Sequence, residues 1–529
     1  MLDAIVVGAG ITGLYQLDLL RRAGFEARLL EAGSGVGGTW YWNRYPGARF
    51  DSESYSYQYF HNAELLERWS WSEEYAGQPE TERYLNLAAD VLGLREHIDL
   101  DSRVVEASYF EGKDGPHWRI TTADGVVRRS RFLIAAVGIL SSPSLPAVPG
   151  LEDFTGEWHH TGRWPDREVS FAGKRVAVVG TGSSGVQIIP FVAREAAELT
   201  VLQRTPNWCT PINNWLISRE KAAALRASAA EIHARCMETS GGFIHGSLDL
   251  AGSTVAADER RAFWAELYER PGLSVLLSNY RDISSDADVN RALSDFLADA
   301  IRARVKDPDV ADRLVPTDHT FGMKRPPLEN GYYEVFNQDH VRLVSLSEDP
   351  LERFVPGGLQ LRSGVVEVDL IVLATGFDAV TGSLLRMDIR GVGGRSLAEH
   401  WSEGPRTHLG LMSAGFPNLF FAGGPQSTTG NIPRATESQV EWLTAIIGRM
   451  RDRGDLRVST DEHAEEAWLA HVESTLAGTV LEHARSWAFG SNIPGKRHRY
   501  LLYAGGLPRY RAECEAALAD GYRGFIFTA

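Results

Sequence analysis

Cysteine is scarce in this chain, with three in 529 residues, at Cys209, Cys236 and Cys514. No two lie within four positions of each other, which excludes a CxxC redox pair and a zinc ribbon. So odd and sparse a set fits a reducing compartment without a disulfide framework. Long apolar runs are missing too. No stretch of about 18 uninterrupted apolar residues occurs, so no transmembrane helix is expected. The chain enters its first apolar run at Ala4 with neither a basic segment nor a cleavage-like site before it. A soluble, cytoplasmic protein is the expectation. Positive charge is also short, with 54 Lys+Arg against 69 Asp+Glu and a formal net charge of −15. Such a balance argues against nucleic acid, which needs clustered cations, and suits a soluble monomer or weak oligomer. The remainder is ordinary: 43% hydrophobic and 23% charged residues, enough for a large core. At about 150 residues per domain the length allows roughly three domains or an elaborated two-domain core.

The chain is organised around a repeated grammar. Ala4–Val7 is a short apolar run ended by Gly8-Ala9-Gly10, a helical pattern follows to about Ala23, and Ala27–Leu30 runs into Glu31. Strand, glycine turn, helix and strand make one βαβ unit. The pattern returns at Arg175–Val179, Gly180-Thr181-Gly182, a helix towards Glu198, and Leu199–Leu202. Further strands are expected at Phe132–Val137 and Leu370–Ala374, whereas residues 216–320, rich in Ala, Leu, Glu and Arg, read as helical. Pro143, Pro146 and Pro149, with Pro326-Pro327, mark interdomain hinges. The expected fold is therefore α/β, with two Rossmann-like dinucleotide-binding domains and a mainly helical insertion in the second. Its parts are 1–142 and 385–529 for the first domain, 143–215 and 321–384 for the second, and 216–320 for the insertion.

Both turns carry GxGxxG in its required setting, as Gly8, Gly10 and Gly13, and as Gly180, Gly182 and Gly185 with Ser183 opening the helix. Bare backbone lets a pyrophosphate approach, and the helix N-terminus favours its charge. Glu31 follows the second strand of the first unit, placed to accept from ribose hydroxyls. The second unit ends instead in Gln203-Arg204-Thr205, where a cation and a hydroxyl suit a 2′-phosphate and hence NADPH, with Lys324 a further candidate for that phosphate. Two dinucleotide sites on one chain imply a tightly held flavin, FAD, and an exchangeable nicotinamide. No dithiol is present to receive the electrons, which leaves oxygen as the common acceptor.

Two longer patterns make a resemblance specific. Phe154, Gly156, His160 and Trp164-Pro165 fit FxGxxxHxxxW followed by Pro or Asp, and Gly37 to Asp51 fits GGxWxxxx(F/Y)PGxxxD at every fixed position. In both, the chain resembles the type I Baeyer–Villiger monooxygenases, from about residue 3 to the C-terminus. Flavin-containing N/S-monooxygenases usually end the first pattern in Tyr followed by Lys or Arg, where Trp164-Pro165 stands here.

The resemblance implies an FAD- and NADPH-dependent enzyme that uses O2, through a C4a-peroxyflavin, to insert oxygen beside a ketone carbonyl, with cyclic or bulky ketones and some sulfides as substrates. It implies that Arg325 and Asp51 meet over the flavin as the catalytic pair. A permanent guanidinium suits a peroxyanion and the oxyanion formed when peroxide adds to a ketone, and Asp51 can hold it by charge-assisted bonds. It also implies that Gly38, Thr39, Trp40 and Tyr45 lie beside the flavin, that 426–434 and 208–211 line the substrate pocket, and that a mobile loop near 485–498 brings Trp487 to NADP. His160 is expected to hydrogen-bond at a hinge between domains, with Trp164 a packing residue as readily as a functional one. No metal site is expected. The rivals are an N/S-hydroxylating monooxygenase, an NADPH oxidase and a non-catalytic NADPH-sensing flavoprotein.

Overall fold

The computed structural model describes residues 1–113 and 115–529. Two sheets organise it. In the first, Leu2–Val7 lies between Ala27–Leu30 and Val127–Ala135, parallel to both. Ile98–Asp99 extends one edge beside Ala27–Leu30, and Leu419–Phe421 joins the C-terminal half of Val127–Ala135. The N-terminal half of that long strand turns antiparallel against His117–Thr122, which pairs in turn with Val104–Phe110. The strand expected at 132–137 therefore begins earlier, because its polar first half serves a second set of neighbours.

The second sheet is wholly parallel, in the order Val341–Ser345, Glu198–Gln203, Arg175–Val179, Leu370–Leu373 and Glu157–His160. Its inner strands read as near-continuous apolar runs because both faces are covered, as parallel sheets require. A three-stranded antiparallel meander, residues 351–367, packs beside it.

The helical character of 216–320 appears as Arg219–Ala227, Ala229–Glu238, Ala257–Glu269, Ala287–Arg304 and shorter pieces. The single helix expected over 218–232 breaks at Ser228, after a first segment with no buried residue. Trp264, Leu293, Leu297 and Ile301 share one core with Val178, Val186 and Ile189, so the insertion is mounted on the second sheet. The segment 418–425 gives a strand and a glycine turn as expected, but its helix starts only at Ile432. That helix, Ile432–Arg453, packs on Ile11–Arg22 of the first glycine unit. Among the described residues no helix is long and apolar enough to cross a membrane.

Candidate active site

One cavity of about 1810 Å³ runs between the two glycine turns. Single-ligand pockets occupy roughly 300–1,000 Å³, so this space suits two dinucleotides and a small substrate. Gly8, Gly10, Glu31, Gly38, Thr39, Trp40, Tyr45 and Asp51 line it from the first region. Gly180, Gly182, Ser183, Arg204, Thr205, Lys324, Arg325 and Trp487 line it from the second region and the C-terminal loop. Gly13 and Gly185 do not. A Cβ on Gly13 would stand 1.9 Å from the Gly8 carbonyl oxygen, and one on Gly185 would stand 2.1 Å from that of Gly180. These two glycines let helix and strand touch, which fixes the turn rather than contacting a ligand.

The first turn fits a dinucleotide. A Cβ on Gly38 would fall 2.7 Å from Gly10 Cα, so the two bare backbones form a cradle that any side chain would fill. The helix beginning at Ile11 has no side-chain cap, leaving its N-terminal N–H groups for an anion. Glu31 is buried, and its carboxylate accepts from the N–H of Ala9 at 2.7 Å and of Gly33 at 2.8 Å. Burial raises its pKa, and those two N–H groups oppose the shift. The Trp42 side chain is a third donor to this carboxylate, which still leaves it a lone pair for a ribose hydroxyl. Trp40 is fixed by an Nε1–H bond to Tyr57 at 3.2 Å and by edge contacts with Phe50 and Tyr57.

The second turn repeats the geometry with different chemistry. Gly182 is open, since a Cβ there would meet nothing within 4 Å. Arg204 is exposed to the cavity mouth, and no carboxylate among the described residues pairs with it. Lys324 Nζ lies 3.6 Å from Asp318. Burial lowers the Lys324 pKa, Asp318 works against this, and the nearby Arg204 adds to it. Two cations that destabilise each other mark a place for an anion. Tyr45 spans the two regions: its hydroxyl donates to Gln187 at 2.7 Å, on the helix that follows Gly182, and burial pushes its pKa up to about 12.

Between the turns lies the ion pair. Arg325 Nε donates to Asp51 Oδ2 and a terminal nitrogen to Oδ1, both at 2.7 Å, a bidentate fork. Burial opposes the guanidinium charge, but Asp51 outweighs it and holds the Arg325 pKa above its ordinary range. About 30% of each side chain stays exposed, to the cavity they both line. The Phe243 ring centre lies 5.7 Å from Arg325 Cζ, and Asn207 Nδ2 donates to the Arg325 carbonyl at 3.1 Å. A fixed cation with a free edge on a cavity can stabilise negative charge appearing on a bound oxygen.

The 154–164 pattern sits elsewhere. Glu157–His160 is an edge strand of the second sheet, not a free hinge, and none of Phe154, Gly156, His160 or Trp164 lines the cavity. Phe154 packs under the meander, a Cβ on Gly156 would strike its ring, and Trp164 is core. His160 is 3% exposed, and its Nδ1 accepts from the Gly162 N–H at 2.9 Å. Burial pushes its pKa down to about 4. Its ring stands edge-on to Phe377, which lines the cavity. The Phe377 carbonyl accepts from Asn492 at 2.8 Å, while Lys496 reaches Asp378 at 2.6 Å. His160 thus touches the 485–498 loop through one residue. The expectation that 208–211 lines the substrate pocket is corrected: Trp208 and Cys209 are core, and Thr210–Pro211 pairs with Leu328–Glu329. Within 426–434, Ser427 to Gly430 and Ile432 do line the cavity, whereas Gln426, Asn431 and Arg434 are buried behind it.

Sequence reasoning missed Arg163, whose guanidinium lies 4.3 Å from the Trp42 ring centre and which lines the cavity. Its signal was position, inside the pattern beside Trp164. Asn207 and Gln187 carried none.

A family described as pyridine nucleotide-disulphide oxidoreductase matches residues 5–228. With three buried, unpaired cysteines, that match concerns the nucleotide scaffold and not dithiol chemistry. A 2-oxo-Δ3-4,5,5-trimethylcyclopentenylacetyl-CoA monooxygenase of Pseudomonas putida is 44% identical over 99% of this chain and 98% of its own. A Baeyer-Villiger monooxygenase of Pseudooceanicola batsensis is 38% identical over 99% and 96%. The chain belongs to the Baeyer–Villiger monooxygenases. A crystal structure of OTEMO in complex with FAD and NADP superposes with a TM-score of 0.96 at 43% identity, covering 100% of this chain and 99% of that one. The family is not uniform in chemistry, since a phenazine N-monooxygenase of Lysobacter antibioticus is 40% identical over 99% of this chain and 96% of its own.

Proposed function

We propose that this chain uses NADPH and O2, through bound FAD, to insert one oxygen atom beside a ketone carbonyl, giving an ester or lactone from cyclic or bulky ketones. In this reading 1–142 with 385–529 hold FAD, 143–215 with 321–384 hold NADPH, and 216–320 form a helical insertion mounted on the NADPH sheet. Reduced flavin, when bound, supplies the chemistry that activates O2. The rest falls to the chain. The Gly10–Gly38 cradle and the Ile11 helix terminus receive the flavin pyrophosphate, and Glu31 its ribose. Arg204, Thr205 and Lys324 receive the 2′-phosphate of NADPH, and Trp487 closes over that cofactor from its loop. Asp51 holds Arg325 by both oxygens, so the guanidinium keeps one orientation while negative charge develops on oxygen beside it. The loop excludes water that would otherwise divert the oxidant to hydrogen peroxide.

The bidentate Asp51–Arg325 pair, facing a cavity shared by two dinucleotide turns, is the observation that carries this reading. A nicotinamide sensor has no use for a cation placed there. The test is anaerobic reduction by NADPH, then mixing with oxygen in the presence of a ketone panel, with ester and peroxide quantified. Ester or lactone is expected from the parent. Arg325→Ala should reduce flavin at a near-parental rate while product formation falls at least about a hundredfold. Parental oxygenation by that variant would refute the mechanism. The phenazine-oxidising relative favours one further reading, N-oxidation of heteroaromatic amines, so such amines belong on the panel.

A further inference from the structure

Three segments far apart in sequence meet near Arg325: 51–56 and 430–434, which reach the cavity at Asp51, Ser52, Gly430 and Ile432, and 241–245, which packs behind them with Phe243 beside the guanidinium. Asn431, fully buried, donates from Nδ2 to the Ser56 carbonyl and hydroxyl and to the Gly242 carbonyl. Its N–H donates to Gly241. These bonds join backbones. A second connection is chemically unusual. Glu53 is 2% exposed, and its Oε1 accepts from the Tyr75 hydroxyl at 2.8 Å and also meets Nε2 of His245. Nδ1 of that histidine faces the Ser278 hydroxyl at 3.2 Å. The other carboxylate oxygen, Oε2, is buried with no hydrogen-bond partner among the described residues.

A buried carboxylate held on one side only is unfavourable for stability, and an apolar pair would fill the same space. Its position gives it a use. Glu53 is two residues beyond Asp51, which grips Arg325 through both oxygens. His245 is two residues beyond Phe243, whose ring lies by the same guanidinium. Both supports of Arg325 are therefore rooted, two residues away, in one contact between the flavin-side turn and the helical insertion.

We propose that the Glu53–His245 pair is a clasp that positions Asp51 and Phe243 around Arg325 and thereby sets how much oxidant reaches the ketone. The proposal rests on the oxygenase reading given above. In the coupled reaction NADPH, H⁺, O2 and ketone give NADP⁺, water and ester. In the uncoupled one NADPH, H⁺ and O2 give NADP⁺ and hydrogen peroxide. Glu53 and His245 touch neither cofactor nor substrate, since neither lines the cavity, so they are positioning residues.

The experiment uses the full chain loaded with FAD and the best ketone of the panel, comparing the parent with His245→Phe and His245→Gln. In His245→Phe, NADPH consumption should stay within about twofold. Ester per NADPH should fall roughly tenfold, a small share of what misplacement by about 1 Å does to a reacting geometry, with peroxide making up the difference. His245→Gln, which still donates to Glu53, should restore most of the ester. In the flavin-free chain, the thermal midpoints of Glu53→Gln, His245→Phe and the double variant should be non-additive. The clasp is overturned by a His245→Phe that couples like the parent. It is equally overturned by a parallel fall in NADPH use and ester without peroxide, the mark of a merely structural residue, or by additive midpoints. A parent that forms no ester from any ketone is a different result: it removes the oxygenase reading, and the clasp with it.

Discussion

The two glycine units superimpose in logic, position by position, and differ where their ligands differ. In each, the first strand lies beside a third whose end approaches the glycine turn: Val7 pairs with Ala135, and Val179 with Leu373. A Cβ on Gly8 would stand 2.6 Å from the Ala136 carbonyl oxygen, and one on Gly180 would stand 2.4 Å from that of Ala374. Beyond the third strand, Phe421 pairs with Ala135 in one sheet and His160 with Leu373 in the other. Val7 pairs with Leu30 and Val179 with Leu202, so Glu31 corresponds to Gln203 and the exposed Arg204 stands one place further. The backbone is common property. One unit sets a buried acid at this position and the other an amide followed by a cation, and in the neighbouring strand a phenylalanine of the first sheet is answered by a buried histidine in the second.

The largest expected effect breaks what the two units share. Gly13→Val would drive a side chain into the Gly8 carbonyl, which belongs to backbone and cannot step aside. Expression of a soluble, yellow protein should be lost, and Gly185→Val should act alike on the second unit. Gly182→Ala meets no atom within 4 Å and has an extended φ of −79°, so it should fold and alter only NADPH binding. If Gly13→Val retained parental flavin and thermal midpoint, the shared helix–strand contact would not be what fixes the turn.

The next prediction makes the second sheet resemble the first. His160 has its pKa held at about 4 against an ordinary 6.5, so the folded state resists protonation. The unfolded chain then binds more protons between those values. Stability is fully present above pH 6.5 and lost as pH falls towards 4, by about 3 kcal/mol at most, at 1.36 kcal/mol per pKa unit. His160→Phe should remove that part of the slope. It also strands the Gly162 N–H, which lowers stability at every pH, so the readout is the difference in slope from urea midpoints at pH 7 and pH 5. An unchanged slope would show that His160 is not the group responsible.

How much of this was legible beforehand follows from how far each signal reaches along the chain. Glycine turns, strand ends and the helical texture of 216–320 are local, and the structure has them within a few residues. Glu31 and Arg204 were readable because a strand end places the next side chain at the turn. Asp51 and Arg325 lie 274 positions apart, and only the resemblance joined them. Where neither spacing nor resemblance spoke, the reading was incomplete. Glu157–His160 has no alternation of apolar and polar residues, because an edge strand of four residues needs none, so it passed for a hinge. Trp208 to Pro211 looked like pocket, but Trp208 Nε1–H bonds to the His319 carbonyl at 3.0 Å and turns the segment inward. The Glu53–His245 contact spans 192 positions and belongs to no pattern.

The finest distinction between the units is the choice of nicotinamide, and it can be turned with single residues. Arg204 and Lys324 share a corner of the cavity with Asp318 as the acid there, and in the proposed reading a dianionic 2′-phosphate would relieve their mutual repulsion. Hydrogen bonds to charged groups contribute about 2 kcal/mol, roughly thirtyfold in affinity. Arg204→Gln should raise the KM for NADPH by about that factor and leave the KM for NADH unchanged, since NADH has no group there to lose. Gln203→Glu imitates the first unit more directly, by setting an acid where Glu31 stands in the other sheet. Gln203 is buried off the cavity with its Nε2 donating to the Arg313 carbonyl at 2.7 Å, so the new carboxylate should lose that bond and lower the thermal midpoint, while its charge, one residue from Arg204, should weaken NADPH binding more than NADH binding. A higher salt concentration should weaken NADPH binding to the parent more than to Arg204→Gln, because the lost contact is the screened one. If both variants raised the two KM values equally, the corner would serve the shared part of the dinucleotide. The contrast between a ribose acid and a phosphate cation would then have to be sought elsewhere in the second unit.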